Sequence, residues 1–107
     1  MNEILKIPFA AFNNDWDDLQ LFLKHKGNPP YEITDDFKDF MGSRIQSLGN
    51  LTSVGGSLNL FNSEIESLGN LISVGVSLNL YSTPLSRKYP SEEEIRSMVK
   101  VGGEIYL

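Results

Sequence analysis

Cysteine is absent from the 107 residues, which removes disulfides, thiolate nucleophiles and cysteine-ligated zinc together. Histidine occurs once, as His25 between Lys24 and Lys26, so it reads as a solvated surface residue rather than a catalytic base. Basic residues are scarce: nine Lys and Arg face fourteen Asp and Glu, for a net charge of -5. A nucleic-acid backbone is bound by a basic face that displaces counterions, so direct nucleic-acid binding is not expected. No apolar run approaches the ~20 residues of a membrane span, and the N-terminus lacks the basic-then-apolar layout of a signal peptide. The expectation is a cytoplasmic protein without membrane contact.

Hydrophobic residues at 40% and aromatics at 10% are ordinary globular values. They are unevenly arranged. All six Asp lie between Asp15 and Asp39, and all twelve Ser between Ser43 and Ser97. No linker marks the break near Met41 to Arg44, so one domain is expected, divided into a cap and degenerate first coil (1–44), two repeats (45–84) and a closing coil (85–107).

Ile45 to Glu64 over Ile65 to Pro84 gives IQSLGNLTSVGGSLNLFNSE over IESLGNLISVGVSLNLYSTP, identical at 13 of 20 positions where chance gives about one. The tail VGGEIYL, Val101 to Leu107, matches VGGSLNL at Val54 to Leu60 and lies 27 residues after Val74, so a third copy carries seven extra residues in its arm. Upstream, alignment on Ile45 places Lys38 at the position of Leu58 and Phe40 at that of Leu60. Leu58 and Leu60 alternate with Ser57, Asn59 and Phe61, which predicts a half-buried strand. The arm instead spaces Ile45, Leu48, Leu51 and Val54 by three, which suits tight turns, and Gly49-Asn50 and Gly69-Asn70 mark the bends. One such unit cannot bury its own leucines; stacking copies at the ~4.8 Å strand spacing does.

The string LGNLxSVGxSLNL, at Leu48 to Leu60 and Leu68 to Leu80, resembles the leucine-rich repeats of receptor L domains. The resemblance covers Ile45 to Leu107 and implies an α/β fold: a short right-handed parallel β solenoid of three to four coils, with an N-terminal capping helix and a C-terminal helix inserted in the last coil. Ser63 and Thr83 stand where the leucine-rich consensus places Asn.

Both ends of such a stack need covers. Asn14 or Asp15 is placed to cap a helix reaching about Lys26, with Gly27 as its stop and Trp16, Leu19, Phe22 and Leu23 as its apolar stripe. Ahead of it, Ile4 to Phe9 reads as a short strand or lid. Ser91 with Glu94 has the spacing of a capping box, opening a second helix to about Lys100 whose apolar face is Ile95, Met98 and Val99, with Glu92 and Arg96 four apart.

Signals for chemistry are weak. The glycines at 49, 55 and 56 recur at 69 and 75 without a following Lys-Ser, so they read as turns rather than a phosphate cradle. Asn50-Leu51-Thr52 matches a glycosylation sequon without a secretion signal. Serines lack a base within reach. No enzyme activity, metal or cofactor is expected. What remains is a surface free of Lys and Arg across 45–84, in which Asn59, Asn79 and Tyr106 form one outward row and Phe61 and Tyr81 another. The expected function is a non-enzymatic protein–protein interaction module, monomeric or weakly self-associating, whose small acidic character fits a phage-encoded inhibitor of a bacterial defence system. The alternative is an acidic nucleic-acid mimic acting through Asp15, Asp17, Asp18, Asp35, Asp36 and Asp39.

Overall fold

The computed structural model describes residues 4–12, 15–38 and 45–107. A short strand, β1 (Leu5–Ile7), is followed by a 3₁₀ turn (Phe9–Phe12) and helix α1 (Trp16–His25). Asp15 caps α1 with its carboxylate, which accepts from the Asp17 and Asp18 amides, and Gly27 leaves it at φ +83°. Asn14, the other expected cap, lies outside the described residues. Leu19 and Leu23 are buried, with Trp16 and Phe22 packed against the core, so the expected stripe is the buried one.

From residue 31 the chain alternates between two parallel sheets. The first takes β2 (Tyr31–Ile33), β4 (Leu51–Val54), β6 (Ser73–Val74) and β8 (Lys100–Val101), with β1 on its outer side; the second takes β3 (Phe37–Lys38), β5 (Leu58–Asn59), β7 (Leu78–Asn79) and β9 (Ile105–Tyr106). Helices α2 (Pro84–Lys88) and α3 (Glu92–Met98) fill the connection between β7 and β8. The fold is therefore mixed α/β with all ladders parallel.

Each sheet contributes one inward column. Ile7, Ile33, Val54, Val74 and Val101 line up in the first, and Phe37, Leu58, Leu78 and Ile105 in the second. All are buried except Ile105, which is half-buried. The repeat-derived positions Ile45, Leu48, Leu51 and Val54 and their copies twenty residues on are buried as their spacing predicts.

Four expectations need correction. The arm between the leucine strands is not only turns: Leu51–Val54 is a strand of a separate sheet, in which Leu51 and Val54 point inward around the half-buried Thr52 and Ser53. The upstream copy is out of step by one residue, because Phe37, not Lys38, pairs with Leu58, and Lys38 pairs with Asn59. An aromatic ring fills the inward place that an alignment on Ile45 gives to lysine; Phe40 lies outside the described residues. The seven-residue insertion carries two helices rather than one, and the side-chain capping box belongs to the first: Thr83 Oγ1 accepts from the Ser86 amide at 3.1 Å while Ser91 makes no side-chain cap bond. Finally, α3 stops at Met98, which is exposed, while Val99 turns inward and Lys100 already belongs to β8.

The corner between the sheets is tight. A Cβ at Gly55 would stand 2.6 Å from the Thr34 carbonyl oxygen, and one at Gly75 or Gly102 would strike the carbonyl of Gly55 or Gly75 respectively. These glycines exist because backbone passes over backbone, which accounts for the repeated V-G without any phosphate chemistry.

Candidate functional site

The outward face of the second sheet is set by the same alternation that buries its leucines. Asn59 and Asn79 follow the inward Leu58 and Leu78 and are in register with each other; Tyr106 continues the row beside Asn79. Each Asn folds back on its own chain: Asn59 Oδ1 accepts from the Phe61 amide and Asn79 Oδ1 from the Tyr81 amide, both at 3.0 Å. The Asn row is thus a pair of local turns, not a ladder between strands. Asn62 and Ser82 then adopt φ of +59° and +61°, reversing the chain directly after each ring.

Those turns carry Phe61 and Tyr81 outward and side by side. Their ring centroids are 5.7 Å apart with an interplanar angle of 5°, yet the residues are 52% and 54% exposed. Such stacking is worth about 0.5–1.5 kcal/mol and joins the pair into one continuous aromatic surface. Tyr106 is 48% exposed, and its hydroxyl donates to Glu104 Oε2 at 2.8 Å. The Glu104 carboxylate, as hydrogen-bond acceptor and negative neighbour, holds the Tyr106 hydroxyl above its ordinary pKa. Of the five strip residues, Phe61 with Tyr81, Asn59 with Asn79, and Asn79 with Tyr106 are adjacent.

The acidic residues are not gathered in the same way. Asp15 caps α1. Asp35 accepts from the Phe9 and Ala10 amides at 2.6 and 3.1 Å, and Asp36 from the Ser57 amide at 2.8 Å. Three carboxylates are thereby committed to backbone N–H groups that would otherwise lack a partner. Asp17 and Asp18 are exposed in the first turn of α1, and Asp39 lies outside the described residues. Among the described residues no three His, Asp or Glu side chains converge into a metal-sized group, and no helix is long and apolar enough to cross a membrane. His25 is exposed at the last position of α1.

Two features escaped the sequence reading. Beside the Asn62 and Ser82 turns lies an open polar groove of about 730 Å³, to which Gln46, Glu64, Glu66 and Arg87 contribute. Glu64 Oε2 accepts from Gln46 Nε2 at 3.2 Å within it. The second feature is apolar: Ile72 and Val76 are exposed where the first repeat has Thr52 and Gly56. The signal was present in the positions at which the repeats differ, which are mostly outward, the buried pair Ser63 and Thr83 being the exception.

Comparison with family models, with curated proteins and with solved structures finds no match to this chain.

Proposed function

We propose that the chain is a non-enzymatic protein-binding module, built as a short right-handed parallel β solenoid of leucine-rich-repeat type and docking its partner on the strip Asn59, Phe61, Asn79, Tyr81 and Tyr106. The observation that carries this reading is the exposed, parallel-stacked pair Phe61 and Tyr81. Exposed aromatics that already stack on one another lose less side-chain entropy on binding than free ones, and aromatic residues are enriched at the energetic centre of interfaces. The solenoid reading is supported by the parallel ladders joining residues twenty apart, and by Ser63 and Thr83, buried hydroxyls that bond their own turns where the leucine-rich consensus has Asn. The chain's size and charge fit a phage-encoded inhibitor acting in the cytoplasm of the infected cell, with a protein of a bacterial defence system as the partner.

The test is capture of binding proteins from bacterial lysate by the wild type and by Phe61→Ala with Tyr81→Ala. The double variant should retain a melting temperature within a few degrees of wild type, since both rings are outward, and lose partner capture at least tenfold. A large loss of stability with binding retained per folded molecule would assign the rings to folding and move the site. Capture that survives the double change but collapses with added salt would favour the Asp-rich N-terminal region and the mimic.

A further inference from the structure

The last strand of the first sheet, β8, has no neighbouring strand on its outer side among the described residues, and its carbonyls would ordinarily invite one. The ladder shows which groups are on offer. Each turn donates from the residue after its inward valine to the carbonyl of the inward residue of the turn before: Gly55 to Ile33, Gly75 to Val54, Gly102 to Val74. One position on, Val76 donates to the Gly56 carbonyl and Gly103 to that of Val76. The acceptors that a further strand would use are therefore the carbonyls of Val101 and Gly103.

Both are occupied by one side chain. Arg96, reaching down from α3, donates from Nη1 to Val101 O at 3.0 Å and from Nη2 to Gly103 O at 2.7 Å. Its Nε donates to Glu92 Oε1 at 2.9 Å, which fixes the planar fork from the opposite side. Only guanidinium has enough rigidly placed donors to serve a carboxylate and two carbonyls at once. The other free edge of this sheet is blunted too: Lys6 lies between the two β1 residues bonded to β2, and Pro8, which follows β1, has no N–H to offer.

We propose that the β8 edge is a latent interface for a second copy of this chain, held shut by Arg96. Lys100 and Gly102 donate inward to β6, so Val101 between them turns both its N–H and its C=O outward. Two copies with that edge bared meet about a two-fold axis as antiparallel strands, the two Val101 residues exchanging their hydrogen bonds. With Arg96 in place the incoming N–H meets an acceptor already engaged and a fixed positive charge.

Sedimentation of the full chain over a rising concentration series, with circular dichroism on the same samples, tests this. Arg96→Ala and Arg96→Gln should stay folded and show a weight-average mass that rises with concentration toward twice that of the monomer, while the wild type keeps its mass. Proline at Val101, which removes the outward N–H, should reverse the association when combined with Arg96→Ala. Folded Arg96 variants whose mass follows the wild type at every concentration would overturn the proposal. Loss of fold in both variants would overturn it equally, by assigning Arg96 to the docking of α3.

Discussion

At the N-terminal end of the second sheet Phe37 is fully buried, with the Phe9 ring stacked on it at 4.7 Å and Trp16 edge-on at 5.4 Å. At the C-terminal end of the same column Ile105 is only half-buried, as is Leu107 beyond it. The first end is closed by an apolar lid, which requires a helix with a coherent stripe and a carboxylate, Asp35, to hold the 3₁₀ turn in place. At the other end the closure that the structure shows is polar and lies on the adjoining sheet, where Arg96 bonds the edge carbonyls of Val101 and Gly103. Apolar closure buries area and contributes stability; polar closure satisfies groups and governs what is allowed to attach.

Truncating the two ends of this column should separate the two modes by the widest margin. Phe37→Ala removes a buried ring with aromatic contacts on two sides and should cost about 3–5 kcal/mol, whereas Ile105→Ala, half-exposed already, should cost about 1–2 kcal/mol. Denaturant titration of both variants measures the difference, and equal costs would mean that the Phe9 and Trp16 lid does not close the stack.

The tyrosines offer a finer version of the same contrast. Tyr31 is buried in β2, its hydroxyl donating to Leu48 O at 3.0 Å, and burial raises its pKa well above the ordinary value. Tyr106 is raised as well, but by Glu104 at an exposed site. A group whose folded pKa lies above its unfolded one stabilises fully below the unfolded value, about 10 for tyrosine, and that contribution is lost as pH rises beyond it. Tyr31→Phe should therefore cost about 1 kcal/mol at neutral pH for the lost hydrogen bond and flatten the alkaline fall in stability. Tyr106→Phe should leave the alkaline fall as it is, since an exposed pair is screened by water. Thermal melts across that range, with and without each hydroxyl, decide it.

The smallest expected effect compares the two repeats. Asn62 and Ser82 occupy the same left-handed turn, and asparagine tolerates positive φ better than serine. Ser82→Asn should raise stability by about 0.5 kcal/mol or less, visible as a small upward shift of the melt; a downward shift would indicate that serine is held there by a contact of its own.

Much of this was legible because inward positions repeat with chemistry intact: every leucine, isoleucine and valine common to the two copies is buried. The first sheet was not, because Leu51 and Val54 are three apart and the period of two that betrays a strand never develops between them. The upstream register misleads because alignment on Ile45 sets Lys38 at the inward place, whereas the ring that pairs with Leu58 is Phe37, on which Phe9 and Trp16 pack. Helix α2 was hidden behind Thr83-Pro84, which reads as a turn until Ser86 completes the capping box. The stacked rings were legible as a row, but their exposure depended on Asn62 and Ser82 reversing the chain, a backbone choice that neither residue type dictates.

The glycine corner has a consequence for how such a chain can grow. Thr34 opens the row with a side chain, and every later place, at Gly55, Gly75 and Gly102, is a glycine set against the carbonyl of the member before it. The row has a grammar with one free opening word and a fixed continuation. A tandem duplication of residues 45–64 brings its own glycine and lengthens the molecule by one legal step, and the longer arm before Gly102 keeps the row because it too ends on glycine, whereas an insertion that puts any other residue at the crossing sets a side chain against a carbonyl and stops the row where it stands.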